Sequence, residues 1–362
     1  MPVVFDAQSL ATVAEGSGTG TYAYELLAAL ATVPSLRVVA LSGPAAELPA
    51  GITRQRLSRR AARPRAAVIE HSLRLPIELL STRPRDSVFH SPTFHAPPAV
   101  RRPWVQTLHD AIPLLFDSPD TAALRARWKR LAPRYRRASA VIAISEHVAS
   151  SGVTVLGLDR DRIHVAHHGV SPVFRPGTSG PTDPPYLLVV GEYSRRKGYA
   201  EAFAVVDALA DAGYPHRLIV AGRVHEWARP EVASLRNSAR HPDRIDLRGF
   251  VPDLVPLYQG ATGFLMTSRY EGFGLPVLEA MACGVPLVAF ANSAVPEVVG
   301  DGGLLVADGD VAAMIGAMQE ILDTPALAQE WRERGLMRAR HFTWDRSAAV
   351  HAEVYRLAAG AA

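Results

Sequence analysis

Short apolar runs alternate along this chain with longer stretches in which apolar positions recur every third or fourth residue. "VVFDA", "TYAYELLAALATV" and "LRVVALSG" open it as strand, helix and strand, the start of an α/β unit. "SVFHS", "PWVQTLHD", "AVIAIS" and "RIHVAHHGV" continue the strand series, with helical patterns between them. Residues 171–185, "SPVFRPGTSGPTDPP", interrupt it: rich in Pro, Gly, Ser and Thr and without apolar period, they predict a linker. A second series follows in "YLLVVGEY", "YAEAFAVVDALADAG", "HRLIVAG", "RIDLRGFV", "LVPLYQGA", "GFLMTS", "VLEAMACG", "PLVAFAN" and "GGLLVA". "VAAMIGAMQEILD" and "SAAVHAEVYRLAA" add two closing helices. Short apolar strands alternating with amphipathic helices predict parallel sheets covered by helices on both faces. The pattern gives two similar α/β domains, with ligands outside the carboxyl ends of the strands and a default site between the domains.

Composition narrows this picture. A length of 362 residues fits two domains, and 48% hydrophobic with 20% charged residues excludes a disordered or fibrous chain. The single cysteine, Cys283, excludes an intramolecular disulfide and suits a reducing cytoplasm. "MPVVFDAQSL" reads as strand and turn, not as a targeting segment, and no apolar run is long enough to span a bilayer. Charge is uneven. Residues 1–180 hold 22 Lys and Arg against 13 Asp and Glu, a balance of +9, and the remainder hold 17 against 22, or −5. The basic half hints at an anionic partner. Within it, "RQRLSRRAARPR" at 54–65 carries six arginines, fit either for an anionic lipid surface or for a solvated loop.

The candidate chemistry centres on "EGFGLPVLE", where Glu271 and Glu279 flank a Gly-Pro knot. Pro276 suits the first turn of a helix, and the preceding glycines leave backbone N–H groups open at its positive end. One ligand along that helix start would touch Glu271, the amides of Gly272, Phe273, Gly274 and Leu275, and Glu279. Carboxylates there would accept from sugar or ribose hydroxyls. "GEYSRRKGYAEAF" places Arg195, Arg196 and Lys197 at a strand-to-helix turn, suited to a diphosphate or simply a solvated basic loop. "EGSGTGTYAYELL" lacks dinucleotide glycine spacing and its distal acid, so a nicotinamide cofactor is rejected, while Gly18 and Gly20 can approach a phosphate or sugar hydroxyls. Among the histidines (His90, His95, His109, His167 and His168), metal spacing is poor, and His109 is placed at the end of a predicted strand.

With these segments in hand, the chain resembles the retaining GT-B glycosyltransferases of the group-1 family, family 4, which includes bacterial mannosyltransferases. The E-x7-E signature falls on Glu271 and Glu279, "GEYSRRKG" resembles the family's basic turn, and "HDAIPLLF", "LRGFV" and "FTW" keep the family's order. The resemblance implies an acceptor-binding Rossmann-like domain at 1–172, a linker at 173–185 and a sugar-nucleotide domain at 186–345. A final helix at 346–362 would return to the first domain. It implies that Glu271 holds the transferred sugar, Glu279 the ribose, and Phe273, Gly274 and Leu275 amides the sugar or phosphate. Arg196 and Lys197 would neutralise the diphosphate with help from Gly20, the backbone at Phe250 and Val251 would read the base, and His109 would lie near the reacting sugar. Glu192 stands where many relatives carry arginine, and His168 where asparagine is common.

The implied reaction moves a sugar, mannose from GDP-mannose as the first choice, to a hydroxyl of a glycan, glycolipid or small molecule. Charge building on the departing phosphate would be met by Arg196, Lys197 and the helix start. Neither a cofactor nor a metal is implied, and no nucleic acid is expected as partner. UDP-glucose or UDP-N-acetylglucosamine is the alternative donor, and a non-catalytic sugar-nucleotide-binding scaffold the alternative class. A cytoplasmic protein is expected, with room for peripheral contact at the inner face of the membrane.

Overall fold

A computed structural model describes residues 1–10, 18–42, 46–56, 87–93, 103–116, 122–178 and 182–360. The chain divides into two compact units, Met1–Gly169 with Trp344–Ala362, and Val170–Thr343. The segment expected as a linker falls in the second unit, where the Gln259 side-chain amide donates to the Arg175 carbonyl at 2.9 Å.

The first unit is built on strands β1 (Pro2–Asp6), β2 (Arg37–Ser42), β3 (Thr53–Arg56), β4 (Val88–Ser91), β5 (Trp104–Leu108), β6 (Ala140–Ala143) and β7 (Ile163–Val165). Among the described residues they form one seven-stranded sheet of order β3-β2-β1-β4-β5-β6-β7, parallel throughout. β4, β5 and β6 are buried along their whole length, as expected for strands covered on both faces. β3 corrects the reading of 54–65 as one basic loop. Arg54 and Arg56 lie on this polar edge strand, and the Arg54 guanidinium donates to the Ala46 carbonyl. Lys or Arg side chains suit an edge, because they discourage further pairing. The arginines from Arg59 onward lie outside the described residues.

The last helix, Trp344–Gly360, belongs to the first unit. Trp344, Ala348, Val354, Tyr355 and Ala358 share one buried cluster with Val3, Phe5, Tyr22 and Leu26. A chain of buried hydrogen bonds runs through the same core. His351 Nδ1 lies 2.7 Å from the Ser347 carbonyl, which only accepts, so Nδ1 carries the proton and Nε2 is the acceptor. Tyr22 then donates to His351 Nε2 (2.9 Å), and Thr107 to Tyr22 (3.0 Å). His90 Nε2–H donates to Thr107 (2.8 Å), and Tyr355 to His90 Nδ1 (2.6 Å). Every link is satisfied with both imidazoles neutral.

The second unit carries β8 (Tyr186–Val190), β9 (Arg217–Ala221), β10 (Ile245–Gly249), β11 (Gly263–Met266), β12 (Leu287–Phe290) and β13 (Leu304–Val306). Their parallel order is β10-β9-β8-β11-β12-β13. The chain builds outward from β8 to β10 and then crosses to β11. β8 and β11 therefore flank the topological switch point, where open α/β sheets bind ligands. Helices Arg229–Asn237 and Pro325–Ala339 complete the unit; neither was singled out from sequence. Among the described residues no helix is long and apolar enough to cross a membrane.

Candidate active site

Two loops leave adjacent strands at the switch point. After β8, the chain turns through Arg195–Lys197 into the helix Tyr199–Asp211. After β11 it runs to the helix Leu275–Cys283. Gly198 lets the two loops touch, since a Cβ there would sit 2.1 Å from the Thr267 carbonyl oxygen, and its φ of +66° is in the left-handed region. Thr267 Oγ1 donates to the Lys197 carbonyl at 3.0 Å, and the Arg269 N–H to the Arg196 carbonyl at 2.8 Å.

This backbone lacing brings Glu271 to the adjacent Arg196 and Lys197, more than seventy positions earlier in the chain. Lys197 Nζ lies 2.6 Å from Glu271 Oε1, and Arg196 Nη1 lies 3.3 Å from the same oxygen while donating to the Tyr270 carbonyl at 2.5 Å. Burial works to raise the Glu271 carboxyl, but Lys197 and Arg196 beside it outweigh that and hold it below its ordinary value. Burial lowers the Lys197 ammonium, opposed by Glu271 and reinforced by Arg196. Two cations share one carboxylate in a poorly solvated corner, so an added anion would relieve their mutual repulsion. Arg195 takes no part in this cluster: it faces outward to Glu231 at 3.0 Å. Glu192, just after β8, lies 2.8 Å from His225 Nε2.

The helix start lies on the same loop. Gly274 takes φ +99° at the N-cap, and Pro276 occupies the first turn, so the Gly274 and Leu275 amides head the helix without intrahelical acceptors. Phe273 does not reach outward. It is buried, with its ring edge-on to Phe342 at 5.8 Å, and anchors the loop while Gly272 stays half-buried before it. One turn along, half-buried Glu279 accepts from the Tyr258 hydroxyl at 2.7 Å. Burial pushes its carboxyl up to about 7, with the Tyr258 hydrogen bond pulling the other way.

Phe250 and Val251 follow β10, past the left-handed Gly249. Phe250 is 42% exposed, and the Arg223 guanidinium lies 5.4 Å from its ring centroid, a cation–π partner that no sequence motif signalled. Gly18, Gly20 and His109 belong to the first unit. Gly18 and Gly20 begin the helix Gly18–Ala31, Gly20 buried and Gly18 exposed. His109 Nε2 lies 2.6 Å from the Pro92 carbonyl, so Nε2 carries the proton, and burial drives the imidazole down to about 4. Its ring stands edge-on to Tyr22 at 4.8 Å, and His168 stacks between Tyr22 and Trp344 at 4.9 and 5.5 Å. His95 lies outside the described residues.

Two parallel-sheet α/β units with ligand-suited loops at a switch point are the GT-B fold of glycosyltransferases. Sucrose-phosphate synthase from Thermosynechococcus elongatus has this fold, with a TM-score of 0.78 at 20% identity over 100% of both chains. So does Anabaena HepE, solved with UDP and glucose, with a TM-score of 0.71 at 19% identity over 98% of each chain. The chain belongs to the group-1 glycosyltransferases: residues 172–338 match the family described as "Glycosyl transferases group 1" and residues 16–174 that described as "Glycosyltransferase Family 4". O-antigen chain mannosyltransferase B of Escherichia coli is 30% identical over 295 residues, 75% of each chain. The D-inositol 3-phosphate glycosyltransferase of Acidothermus cellulolyticus is 33% identical over 227 residues, 56% of this chain and 50% of that one.

Proposed function

We propose that this glycosyltransferase transfers mannose from GDP-mannose to an acceptor hydroxyl with retention of anomeric configuration and without a metal. The observation that carries the reading is the Lys197–Glu271–Arg196 cluster, its two cations on the loop after β8 and its carboxylate on the loop after β11 that leads to the Leu275–Cys283 helix start. A diphosphate in that corner would meet two cations and the Gly274 and Leu275 amides at the helix start, in a site already stripped of much of its water. Charge developing on the departing phosphate would then be stabilised by groups held in place beforehand.

In this reading Glu271 is a positioning carboxylate for sugar hydroxyls, its Oε1 already held by Lys197 and Arg196, and is not a nucleophile. The leaving phosphate takes the acceptor's proton during same-face attack. Glu279 accepts from the ribose, and neutral His109 hydrogen-bonds near the reacting sugar. Phe250 and the backbone through Val251 meet the base. The resemblance to a mannosyltransferase at 30% identity supports mannose as the sugar. The acceptor is a hydroxyl of a glycan, glycolipid or small molecule. The four arginines of the run beyond β3, Arg59, Arg60, Arg63 and Arg65, support peripheral contact with an anionic membrane.

The test is a thermal-shift and hydrolysis screen of GDP-mannose, UDP-glucose, UDP-N-acetylglucosamine and dTDP-sugars, with and without EDTA. Selective stabilisation and turnover of GDP-mannose, insensitive to EDTA, is expected. Turnover of a UDP-sugar alone would overturn the donor assignment, and loss with EDTA would overturn the metal-free mechanism. Arg59→Glu with Arg60→Glu should weaken binding to anionic liposomes, and unchanged binding would remove the membrane contact.

A further inference from the structure

We propose that Ser293, through its hydroxyl, is a positioning residue that fixes Glu271 beside Lys197 and Arg196. The proposal rests on the transferase reading and deepens it. Glu271 is gripped from behind by the turn that follows β12. Its backbone N–H donates to Ser293 Oγ at 2.8 Å, and its carbonyl accepts from the Ala294 N–H at 3.3 Å. Ser293 Oγ in turn donates to Asn292 Oδ1 at 2.9 Å. The Asn292 amide donates to the Ser268 carbonyl at 2.9 Å and to Asp308 Oδ1 at 2.6 Å. Ser268 hydrogen-bonds the Glu271 carboxylate. The pair therefore holds the loop at both ends of the segment that presents this carboxylate.

Two further features separate this from ordinary turn chemistry. Ser293 is the one non-glycine residue among the described residues with positive φ, at 47°. Backbone held in that region persists only where its surroundings require it, and such residues gather at functional sites. Its hydroxyl also does not cap the short helix that follows. Val295–Val299 takes Ala294 as N-cap with no side-chain cap hydrogen bond. The hydroxyl is directed to Glu271 instead. Ser293 touches no reacting atom in this arrangement; it acts through the carboxylate.

The experiment compares wild type, Ser293→Gly and Ser293→Ala in the full chain. Glycine removes the whole CH2OH group and adopts the left-handed backbone without strain; alanine removes only the hydroxyl and keeps the strained Cβ. Both variants are expected to lose on the order of ten- to hundredfold in kcat for GDP-mannose hydrolysis or transfer, the scale of a small misplacement at a reacting centre. Ser293→Gly should keep the wild-type melting temperature and the wild-type affinity for GDP alone, because the diphosphate contacts are untouched. Wild-type turnover in Ser293→Gly would overturn the proposal, as would GDP affinity falling in step with kcat. If Ser293→Gly does not fold, Asn292→Ala makes the same test and is expected to lose kcat with GDP affinity intact; loss of both would overturn the proposal. Wild-type protein that turns over none of the sugar nucleotides would overturn the transferase reading and this proposal together, an outcome visible before any variant is made.

Discussion

Each unit buries a polar cluster, and the two are built on opposite principles. In the second unit, Lys197, Arg196 and Glu271 are charged, and one carboxylate oxygen serves two cations. In the first, Tyr355, His90, Thr107, Tyr22 and His351 form a fully buried relay in which every group is neutral and every donor meets an acceptor. A buried ion pair is weak support for stability, because desolvation offsets much of the attraction. A satisfied neutral network avoids that cost and specifies one packing. In the proposed function the charged cluster serves a ligand, whereas the neutral one ties the last helix into the first unit.

The comparison breaks most visibly at Lys197. Lys197→Ala is expected to lower sugar-nucleotide turnover by about 10²–10³-fold, the scale of removing one preorganised charge-stabilising donor. Turnover within a few fold of wild type would mean that the cluster is merely structural. His351→Phe makes the complementary cut. It leaves the Tyr22 hydroxyl without its acceptor and is expected to cost about 1–3 kcal/mol in urea unfolding, with the nucleotide-induced thermal shift preserved. A lost thermal shift would show that the two clusters do not have separate tasks.

Acid sharpens the contrast. His109 and His351 are each lowered to about 4 by burial, so between their ordinary value of 6.5 and about 4 the unfolded chain binds more protons than the folded one. Stability contributed by their neutral forms is present above 6.5 and lost as the pH falls toward 4. Urea midpoints measured across this window should decline, and decline less steeply in His351→Phe. Glu279 has the opposite sign. Raised to about 7, it stabilises below the ordinary carboxyl value of 4.5 and loses that contribution as the pH rises through 7. Tyr258→Phe, the mildest change, should cost about 1 kcal/mol and move the pH midpoint of nucleotide binding upward; an unmoved midpoint would separate Glu279 from the nucleotide.

The sheets were legible because parallel strands covered on both faces run apolar, as β8 and β12 do at every position. β3 was not, because an edge strand reading "TRQR" carries no apolar signature. Glu271, Lys197 and Glu279 announce themselves by spacing around glycine and proline. Ser293 does not, since nothing in "ANSAVPE" encodes a left-handed serine whose partner is twenty-two residues back. The His90–Tyr355 contact spans 265 positions, and single histidines in "FHSP" and "VHAE" gave no hint that they share a core. Arg195 shows the converse: a basic triplet read as one group sends one of its members to the surface.

The return of Trp344–Gly360 to the first unit has a consequence for synthesis on the ribosome. Tyr22 emerges early, yet its partner His351 follows 329 residues later. Until then the helix Gly18–Ala31 exposes the apolar face that Trp344, Ala348 and Tyr355 cover in the finished protein. The middle of the chain, by contrast, has every strand of its own sheet once β13 is out. We expect nascent chains stalled shortly before Trp344 to be protease-resistant across the second unit and still open to cleavage in the first. For this molecule, the first half to be made is the last to be completed.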